Sequence, residues 1–186
     1  VMAGPDVKAG AVVEAPVSVL DIFPSVCEAL SCDLPDDKLG VSLMGAARGD
    51  SDSLMPEFAL CQFHATGYPG SGFALRSGTW KFVECVGERP MLFNLAEDPY
   101  EMHDLIVERS EDLDVQAKVR ELRGMLCGVC SPEAVDARAK ADQLALREEM
   151  AASGQLFDEL WKRGYERNAD RLVQQEETIL EPEKLV

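Results

Sequence analysis

A hairpin pattern occupies the middle of the chain, where the residues are Phe73-Ala74-Leu75-Arg76-Ser77-Gly78-Thr79-Trp80-Lys81-Phe82-Val83. Large apolar side chains recur at every second position on either side of Ser77-Gly78, which is typical of half-buried strands. The glycine supplies the positive φ that a two-residue hairpin turn needs. The sequence therefore predicts two antiparallel strands, Phe73–Arg76 and Trp80–Val86.

Two further strands extend this hairpin into a sheet. Glu57–Phe63 precedes a glycine-rich loop, and Met91–Leu95 follows the turn at residues 87–90. Sequential hairpins predict an antiparallel meander of about four strands, and such a sheet needs a cover on one face. We expect the cover to be a helix capped by Ser110, because apolar residues then recur on one helical face. These residues are Val115, Val119, Leu122 and Leu126.

Further helices are predicted on both sides of the sheet. Ser18 or Asp21 can cap a helix that has a short apolar face, formed by Ile22, Val26 and Leu30. Ser131-Pro132-Glu133 is typical of a helix start, and that helix is predicted to run to about Ala152. Short strands are predicted at Val12–Glu14 and Val17–Val19. A last helix would carry Leu156, Phe157, Leu160 and Trp161, and residues 174–186 are expected to be disordered.

Composition excludes several classes of function. The 186 residues include 18 lysines and arginines against 34 acidic residues, so the formal net charge is −16. Such a balance disfavours nucleic-acid binding. No apolar run approaches the length of a membrane span, and no signal peptide opens the chain, so we expect a soluble protein of the cytoplasm or periplasm. The chain begins like a strand entered midway, which indicates a piece of a longer protein.

Six cysteines are present, and two of them form the motif Cys127-Gly128-Val129-Cys130. A structural zinc site would need a second pair of ligands, and none follows. A redox pair would follow a strand of a βαβ unit, whereas this motif ends a helical pattern. We therefore interpret these two cysteines as unrelated, half-buried thiols.

Only two histidines are available for chemistry, His64 and His103. His64 ends a predicted strand and opens a glycine-rich loop, where binding residues tend to lie, although an exposed loop histidine is an equal alternative. His103 lies in a polar turn that Asp98 can close around Pro99. One histidine at the mouth of a loop does not make a catalytic triad. From the residues alone, the chain is an α+β module with an antiparallel sheet and a helical tail.

The order of the segments resembles the sulfatases of the alkaline-phosphatase-like superfamily. The first matching segments are GPDVKAG (residues 4–10), VSVLDIFPS (17–25) and GVSL (40–43). The later ones are QFH (62–64), LRSGTWKFV (75–83) and LFNLAEDPYEMHDL (92–105). The later segments are similar to the sulfatase C-terminal subdomain, for which the family pattern includes E-(F/Y)-H and L-R-x-G-x-W-K. The helical tail after Ser110 is similar to that of the choline-sulfatase and arylsulfatase K type.

The resemblance implies that the chain is the C-terminal fragment of an alkaline-phosphatase-like α/β sulfatase. Residues 1–55 would end the main α/β domain, and residues 56–130 would form the antiparallel-sheet subdomain with its covering helix. Residues 131–173 would form the helical tail. The full-length enzyme would hydrolyse a sulfate ester to an alcohol and sulfate. A phosphonate or phosphodiester hydrolase of the same superfamily is the first alternative, and a non-catalytic substrate-rim or oligomerisation module is the second.

The catalytic machinery that the resemblance implies is missing from this chain. Family members convert a Cys or Ser in a C-x-P-x-R motif to formylglycine, and the segment at Cys27 does not match that motif. Their metal ligands, which usually hold calcium, would lie upstream. We therefore expect calcium, or another divalent cation, and formylglycine only in the full-length parent. The fragment itself is expected to bind no cofactor and to be inactive, and none of its residues is assigned as catalytic or as a metal ligand.

The resemblance places a substrate rim at three residues, His64, Gln62 and Tyr68. His64 would hydrogen-bond a sulfate oxygen or the leaving-group side of the ester. Gln62 stands where an acid is usual, which argues against a cationic group such as choline, and Asn94 stands where Asp is usual. The expected partner is a small-molecule sulfate ester, with no nucleic acid and no membrane. The helical tail could also join copies into a homo-oligomer.

Overall fold

A computed structural model describes residues 1–50, 53, 55–64 and 70–152 of the chain. These residues divide into two compact units. The first comprises residues 1–63 and 72–131, and the second comprises residues 64–71 and 132–186. The predicted loop residue Tyr68, the predicted helix around Trp161 and the predicted disorder of 174–186 all lie outside the described residues.

The first unit contains a four-stranded antiparallel sheet in the order β1-β2-β3-β4. Its strands are β1 (Ala59–Phe63), β2 (Gly72–Ser77), β3 (Trp80–Cys85) and β4 (Met91–Asn94). Consecutive strands pair, so that Leu75 lies opposite Phe82, and Phe82 lies opposite Leu92. The predicted meander is confirmed, and each of its four predicted strands overlaps an observed one.

Helix α4 (Leu113–Val129) covers this sheet, as the apolar stripe predicted. The core between them is closely packed and excludes water from six large side chains, which are Phe73, Leu75, Phe82, Leu92, Leu122 and Leu126. Trp80 is half-buried, and Lys118 Nζ of α4 lies 5.6 Å from the centre of its ring. A short helix, α3 (Leu105–Glu108), precedes α4 and contacts β4.

The cap of α4 differs from the prediction. Asp112 is the N-cap, because its carboxylate accepts a hydrogen bond of 2.9 Å from the backbone N–H of Asp114. Ser110 lies two residues earlier, and its carbonyl accepts a hydrogen bond from the side chain of Gln116. Both residues are good caps, so the local sequence does not distinguish them.

The N-terminal part of the first unit differs from the predictions in its strands and in the buried face of its first helix. It contains α1 (Ile22–Ala29) and α2 (Met44–Arg48), but the predicted strands Val12–Glu14 and Val17–Val19 are absent. The segment from Val19 to Asp21 is a 3₁₀ turn that Ser18 caps. The apolar face of Ile22, Val26 and Leu30 is exposed, whereas α1 buries its other face. That buried face consists of Pro24, Ser25 and Cys27.

Two of the segments that resemble the sulfatase pattern are joined by hydrogen bonds. The Asp21 carboxylate, which is buried, accepts from the backbone N–H groups of Ser18 at 2.7 Å and Val41 at 2.9 Å. The Ser25 hydroxyl accepts from the backbone N–H of Leu43 at 2.9 Å and donates to the Asp21 carbonyl. These matching residues therefore hold the loop after α1 in place.

The second unit contains α5 (Pro132–Ala152), which begins with proline at its first position as predicted. No helix in the described residues is long and apolar enough to cross a membrane. All six cysteines are free thiols. Burial, together with the nearby Cys127, raises the pKa of the Cys130 thiol, which makes it less reactive as a nucleophile.

Candidate functional site

His64 is the first residue of the second unit and follows β1 in the chain. Its imidazole Nδ1 lies 2.8 Å from the hydroxyl oxygen of Ser71. Its carbonyl accepts a hydrogen bond of 2.6 Å from the side-chain amide of Gln143, which belongs to α5. The backbone and the side chain of His64 therefore both have fixed partners.

Ser71 connects His64 to a buried carboxylate. Ser71 is 2% exposed, and its backbone N–H donates a hydrogen bond of 2.7 Å to Asp136 Oδ1. The other carboxylate oxygen of Asp136 lies 2.7 Å from Lys140 Nζ. Burial raises the pKa of Asp136, but hydrogen bonds from Lys140 and Ser71 outweigh burial and hold the pKa below its ordinary value of 3.8. Asp136 is therefore ionised at neutral pH.

One face of α5 supplies three of these groups. Asp136, Lys140 and Gln143 are separated by four and then three residues, a spacing that places side chains on the same side of a helix. This face holds Ser71 through its backbone N–H and His64 through its backbone carbonyl, and Ser71 in turn contacts the His64 ring. The arrangement can orient an imidazole for hydrogen bonding or proton transfer, whereas Ser71 itself is too buried to attack a substrate.

The structure describes two of the three predicted rim residues, His64 and Gln62. His64 lies in the hydrogen-bonded arrangement just described. Gln62 lies on β1 of the first unit, where it is exposed and its backbone is paired with Phe73. Tyr68 lies outside the described residues. Their proposed roles in substrate binding stay predictions.

Sequence reasoning missed Ser71, Asp136 and Gln143. Asp136 and Lys140 are four residues apart on a helix, and this spacing indicates a solvent-exposed ion pair when no structure is available. Asp136 is buried, and its hydrogen-bond partner Ser71 lies 65 positions earlier in the chain. Contacts at that separation leave no local signal in one sequence.

The other histidine has a structural role. His103 is exposed, and its backbone N–H donates to Asp98 Oδ2 at 2.8 Å, which closes the polar turn that was predicted there. Its Nδ1 lies 2.8 Å from Glu108 Oε1. The hydrogen bond to Glu108, and then the charge of that carboxylate, raise the pKa of His103 above its ordinary value of 6.5.

Replacing Glu108 with glutamine is expected to return the pKa of His103 towards 6.5. The favourable interaction is complete below pH 6.5 and is lost as the pH rises through the elevated pKa of His103. An NMR titration of the histidine ring protons measures this shift, and the His64 ring serves as an internal control. An unchanged His103 titration in Glu108→Gln would contradict the pairing.

A crevice of about 440 Å³ lies in the described part of the first unit. It lies beside the segment from Lys8 to Val13 and the start of the loop after α2, and its charged lining residues are Lys8 and Asp50. Neither a histidine nor a cysteine lines it.

Comparisons with known proteins agree with this architecture. No protein-family model matches the chain. A protein from Bacteroides thetaiotaomicron described as a sulfatase superposes with a TM-score of 0.60 at 22% identity, over 77% of this chain and 30% of that one. Human arylsulfatase K is 30% identical over 119 residues, which are 59% of this chain and 22% of that protein. This chain is related to the C-terminal part of sulfatases.

The sulfatase fold of this chain is shared with another kind of hydrolase. A phosphonate monoester hydrolase from Silicibacter pomeroyi superposes with a TM-score of 0.54 at 22% identity, over 68% of this chain and 27% of that one. Structural likeness at this identity shows the fold alone. The chain also spans only 22% of the length of human arylsulfatase K.

Calcium, which the sulfatase resemblance implies for the parent, would need a cluster of oxygen ligands. The described residues contain no group of three or more His, Cys, Asp or Glu side chains that could hold a metal ion. The buried carboxylate of α5 is that of Asp136, and Lys140 and the backbone N–H of Ser71 already contact its two oxygens. The described residues therefore do not fit a calcium site.

Proposed function

We propose that this chain forms the C-terminal part of a sulfatase whose complete form hydrolyses a sulfate ester to an alcohol and sulfate. The 30% identity to arylsulfatase K supports this proposal most directly. The chain alone is inactive, because formylglycine and a divalent cation, which supply the nucleophile and stabilise the sulfuryl charge, belong to the upstream part. This chain contributes part of the substrate rim.

The proposal also divides the chain as the sequence predicted. Residues 1–55 end the main α/β domain, residues 56–130 form the sheet subdomain, and residues 131–173 form the helical tail. The exposed apolar side chains of α1 and its C-cap residue support the first assignment, because Ile22, Phe23 and Leu30 are each more than half exposed. Surfaces of this kind are typical of contact with another part of a protein.

His64 is the residue of this chain that we place at the substrate. It is half-buried. Gln143 of α5 bonds to its backbone carbonyl, and Ser71 contacts its ring. A side chain with a fixed orientation binds a substrate with little further loss of conformational entropy. Gln62 and Tyr68 complete the proposed rim, and Gln62 favours a substrate without a cationic group.

Two other functions have some support. The likeness to the phosphonate monoester hydrolase favours a phosphonate or phosphodiester substrate on the same fold. A non-catalytic module that joins copies of the chain is favoured by Leu144 and Leu146 of α5, which are each 56% exposed. The sulfatase proposal ranks above both because the relative with 30% identity is an arylsulfatase.

In the enzyme expressed from the complete reading frame, replacing His64 with alanine is expected to raise KM for an aryl sulfate by about tenfold to a hundredfold. A lost hydrogen bond to a charged or reacting group has this effect. Steady-state kinetics with an aryl sulfate and an aryl phosphonate, in the presence of calcium, measure it. His103→Ala is the matched control, because the hydrogen bonds of His103 in the described part of the chain go to Glu108 and to Asp98.

Each outcome of these assays decides between the candidates. Hydrolysis of the sulfate, with an unchanged His103→Ala variant, supports the proposal. Hydrolysis of the phosphonate alone would move the function to the first alternative, and no hydrolysis of either substrate would favour the non-catalytic module. Turnover by the purified 186-residue chain would contradict the statement that it is inactive. An upstream DNA sequence without a C-x-P-x-R motif would remove the formylglycine step.

A further inference from the structure

The end of helix α1 brings two cysteines of the first unit close together. Ser31 has a positive φ of 55°, and its backbone N–H donates to the carbonyl of Glu28 at 3.1 Å. The backbone N–H of Cys32 donates to the carbonyl of Cys27 at 2.9 Å. These two hydrogen bonds around a left-handed residue define a Schellman motif, in which the side chains of the two outer positions commonly contact each other. Both outer positions are cysteines in this chain.

The hydrogen bond between the two cysteines limits the distance between their Cα atoms. With standard bond lengths, an amide nitrogen 2.9 Å from the carbonyl oxygen keeps the Cα atoms of Cys27 and Cys32 at most about 6.8 Å apart. Cysteines joined by a disulfide usually have Cα atoms about 4.4 to 6.8 Å apart. The backbone separation therefore does not exceed the length that a disulfide spans.

The two thiols differ in their access to solvent. Cys32 is exposed, and its Sγ lies 3.8 Å from the carbonyl oxygen of Leu30, so this thiol is folded back onto the end of the helix. Cys27 is only 7% exposed. A reagent in solution therefore reaches Cys32 before Cys27.

We propose that Cys27 and Cys32 form a site of reversible oxidation, at which a small-molecule disulfide converts the two thiols to a disulfide across the end of α1. The Cys32 thiolate attacks one sulfur of the reagent, which forms a mixed disulfide and releases the other half as a thiol. Cys27 then loses its proton to solvent, and its sulfur attacks the Cys32 sulfur and releases the second half. The chain loses two electrons and two protons, and the reagent is reduced to two thiols.

The disulfide would fix the geometry at the end of α1. Ser31 adopts a left-handed conformation that residues other than glycine rarely take, so the turn needs support from its surroundings. A cross-link between Cys27 and Cys32 opposes the opening of this turn. It would also hold the exposed apolar side chain of Leu30, which lies between the two cysteines in the chain.

Peptide mapping of the 186-residue chain tests the proposal. The chain is treated with oxidised glutathione at about pH 8, where part of an ordinary thiol is ionised, and free thiols are then blocked with N-ethylmaleimide. Unfolding and cleavage after glutamate residues follow. Glu28 lies between the two cysteines, so cleavage separates residues 15–28 from residues 29–57 unless a disulfide joins them. We expect the joined peptides, which dithiothreitol should separate. Two separate peptides, each with N-ethylmaleimide or glutathione on its cysteine, would overturn the proposal.

Variants test the order of the two steps. Cys27→Ala should accumulate glutathione on Cys32, because no second thiol is present to release it. Cys32→Ala should leave Cys27 without glutathione, because Cys27 is buried. Circular dichroism verifies that both variants keep their helices. Glutathione on Cys27 in Cys32→Ala would overturn the assigned order.

Cys61→Ala is the matched control, because Cys61 is also exposed but lies on β1, outside the motif. It should give the joined peptides to the same extent as the unmodified chain. Loss of the joined peptides in Cys61→Ala would overturn the pairing of Cys27 with Cys32.

Hydrogen exchange measures the effect of oxidation on the helix end. The amide of Cys32 should exchange about tenfold more slowly in the oxidised chain than in the reduced chain. The amide of Leu95, which bonds to the carbonyl of Thr79, is the internal reference and should not change. Equal rates at Cys32 in the two states would overturn the inference that the disulfide fixes this turn. These measurements need no enzymatic activity, so their outcome is independent of the sulfatase proposal.

Discussion

Replacing Gly40 with alanine is expected to lower the free energy of unfolding of the N-terminal part of the first unit by about 3 kcal/mol or more. Gly40 has a φ of +88°, and an added Cβ would lie 2.4 Å from the carbonyl oxygen of Leu20. That atom belongs to the backbone, so it cannot move aside as a flexible side chain would. Hydrogen exchange of the amides at Val41 and Leu43 measures the loss, because these amides bond to Asp21 and Ser25.

Gly10→Ala is the matched control for this substitution. Gly10 also has a positive φ, of +73°, but an added Cβ there would meet nothing within 4 Å. It should therefore show only the conformational cost of about 1 kcal/mol that an alanine has in the left-handed region. If Gly40→Ala costs no more than Gly10→Ala, then the close approach of Gly40 to Leu20 has no energetic importance.

The expected effect at Gly40 indicates that residues which match the sulfatase pattern can have a structural role. Asp21, Ser25 and Gly40 match the family pattern, yet each of them holds two segments together and none lies in the second unit with His64. Recurring residues in a pattern can therefore reflect backbone hydrogen bonds and close packing. These three residues therefore indicate the fold. The proposed substrate rim depends on other residues.

Local signals were sufficient for the sheet and insufficient for the segments around it. The alternation of apolar residues and the turn at Ser77-Gly78 predicted β2, β3 and their pairing, because hairpin contacts are close in sequence. The strand predicted at Val17–Val19 was wrong, since Ser18 instead caps a 3₁₀ turn through its own side chain. The apolar face of α1 was recognised, but the described residues provide nothing that covers it.

Local sequence likewise predicted only part of the candidate site. His64 could be found because it ends a strand and opens a loop, which is a local feature. The carboxylate that bonds to Ser71 lies on α5, where the spacing of Asp136 and Lys140 indicates an exposed pair. The hydrogen bond between Asp136 and Ser71 joins residues 65 positions apart, and such contacts are a property of the folded chain.

Replacing Arg123 with methionine is expected to lower the free energy of unfolding of the first unit by about 3 kcal/mol. Glu84 of β3 is 8% exposed, and Arg123 of α4 meets its carboxylate with Nε at 3.1 Å and Nη2 at 3.0 Å. Without the guanidinium, the carboxylate would lose a bidentate partner while it is buried beside the sheet–helix core. Urea unfolding followed by circular dichroism measures the loss.

The double variant Glu84→Gln/Arg123→Met separates the cost of a buried charge from the loss of packing. It should be more stable than Arg123→Met alone, because a neutral amide needs less solvation than a carboxylate. Arg138→Met is a second control: its partner Asp142 is 3.7 Å away and both side chains are largely exposed, so the change should stay within about 0.5 kcal/mol. If the double variant were no more stable than Arg123→Met, the arginine would act mainly through its packing against the sheet. In that case the bidentate pair would not be what joins α4 to β3, and the apolar stripe of α4 alone would hold the cover in place.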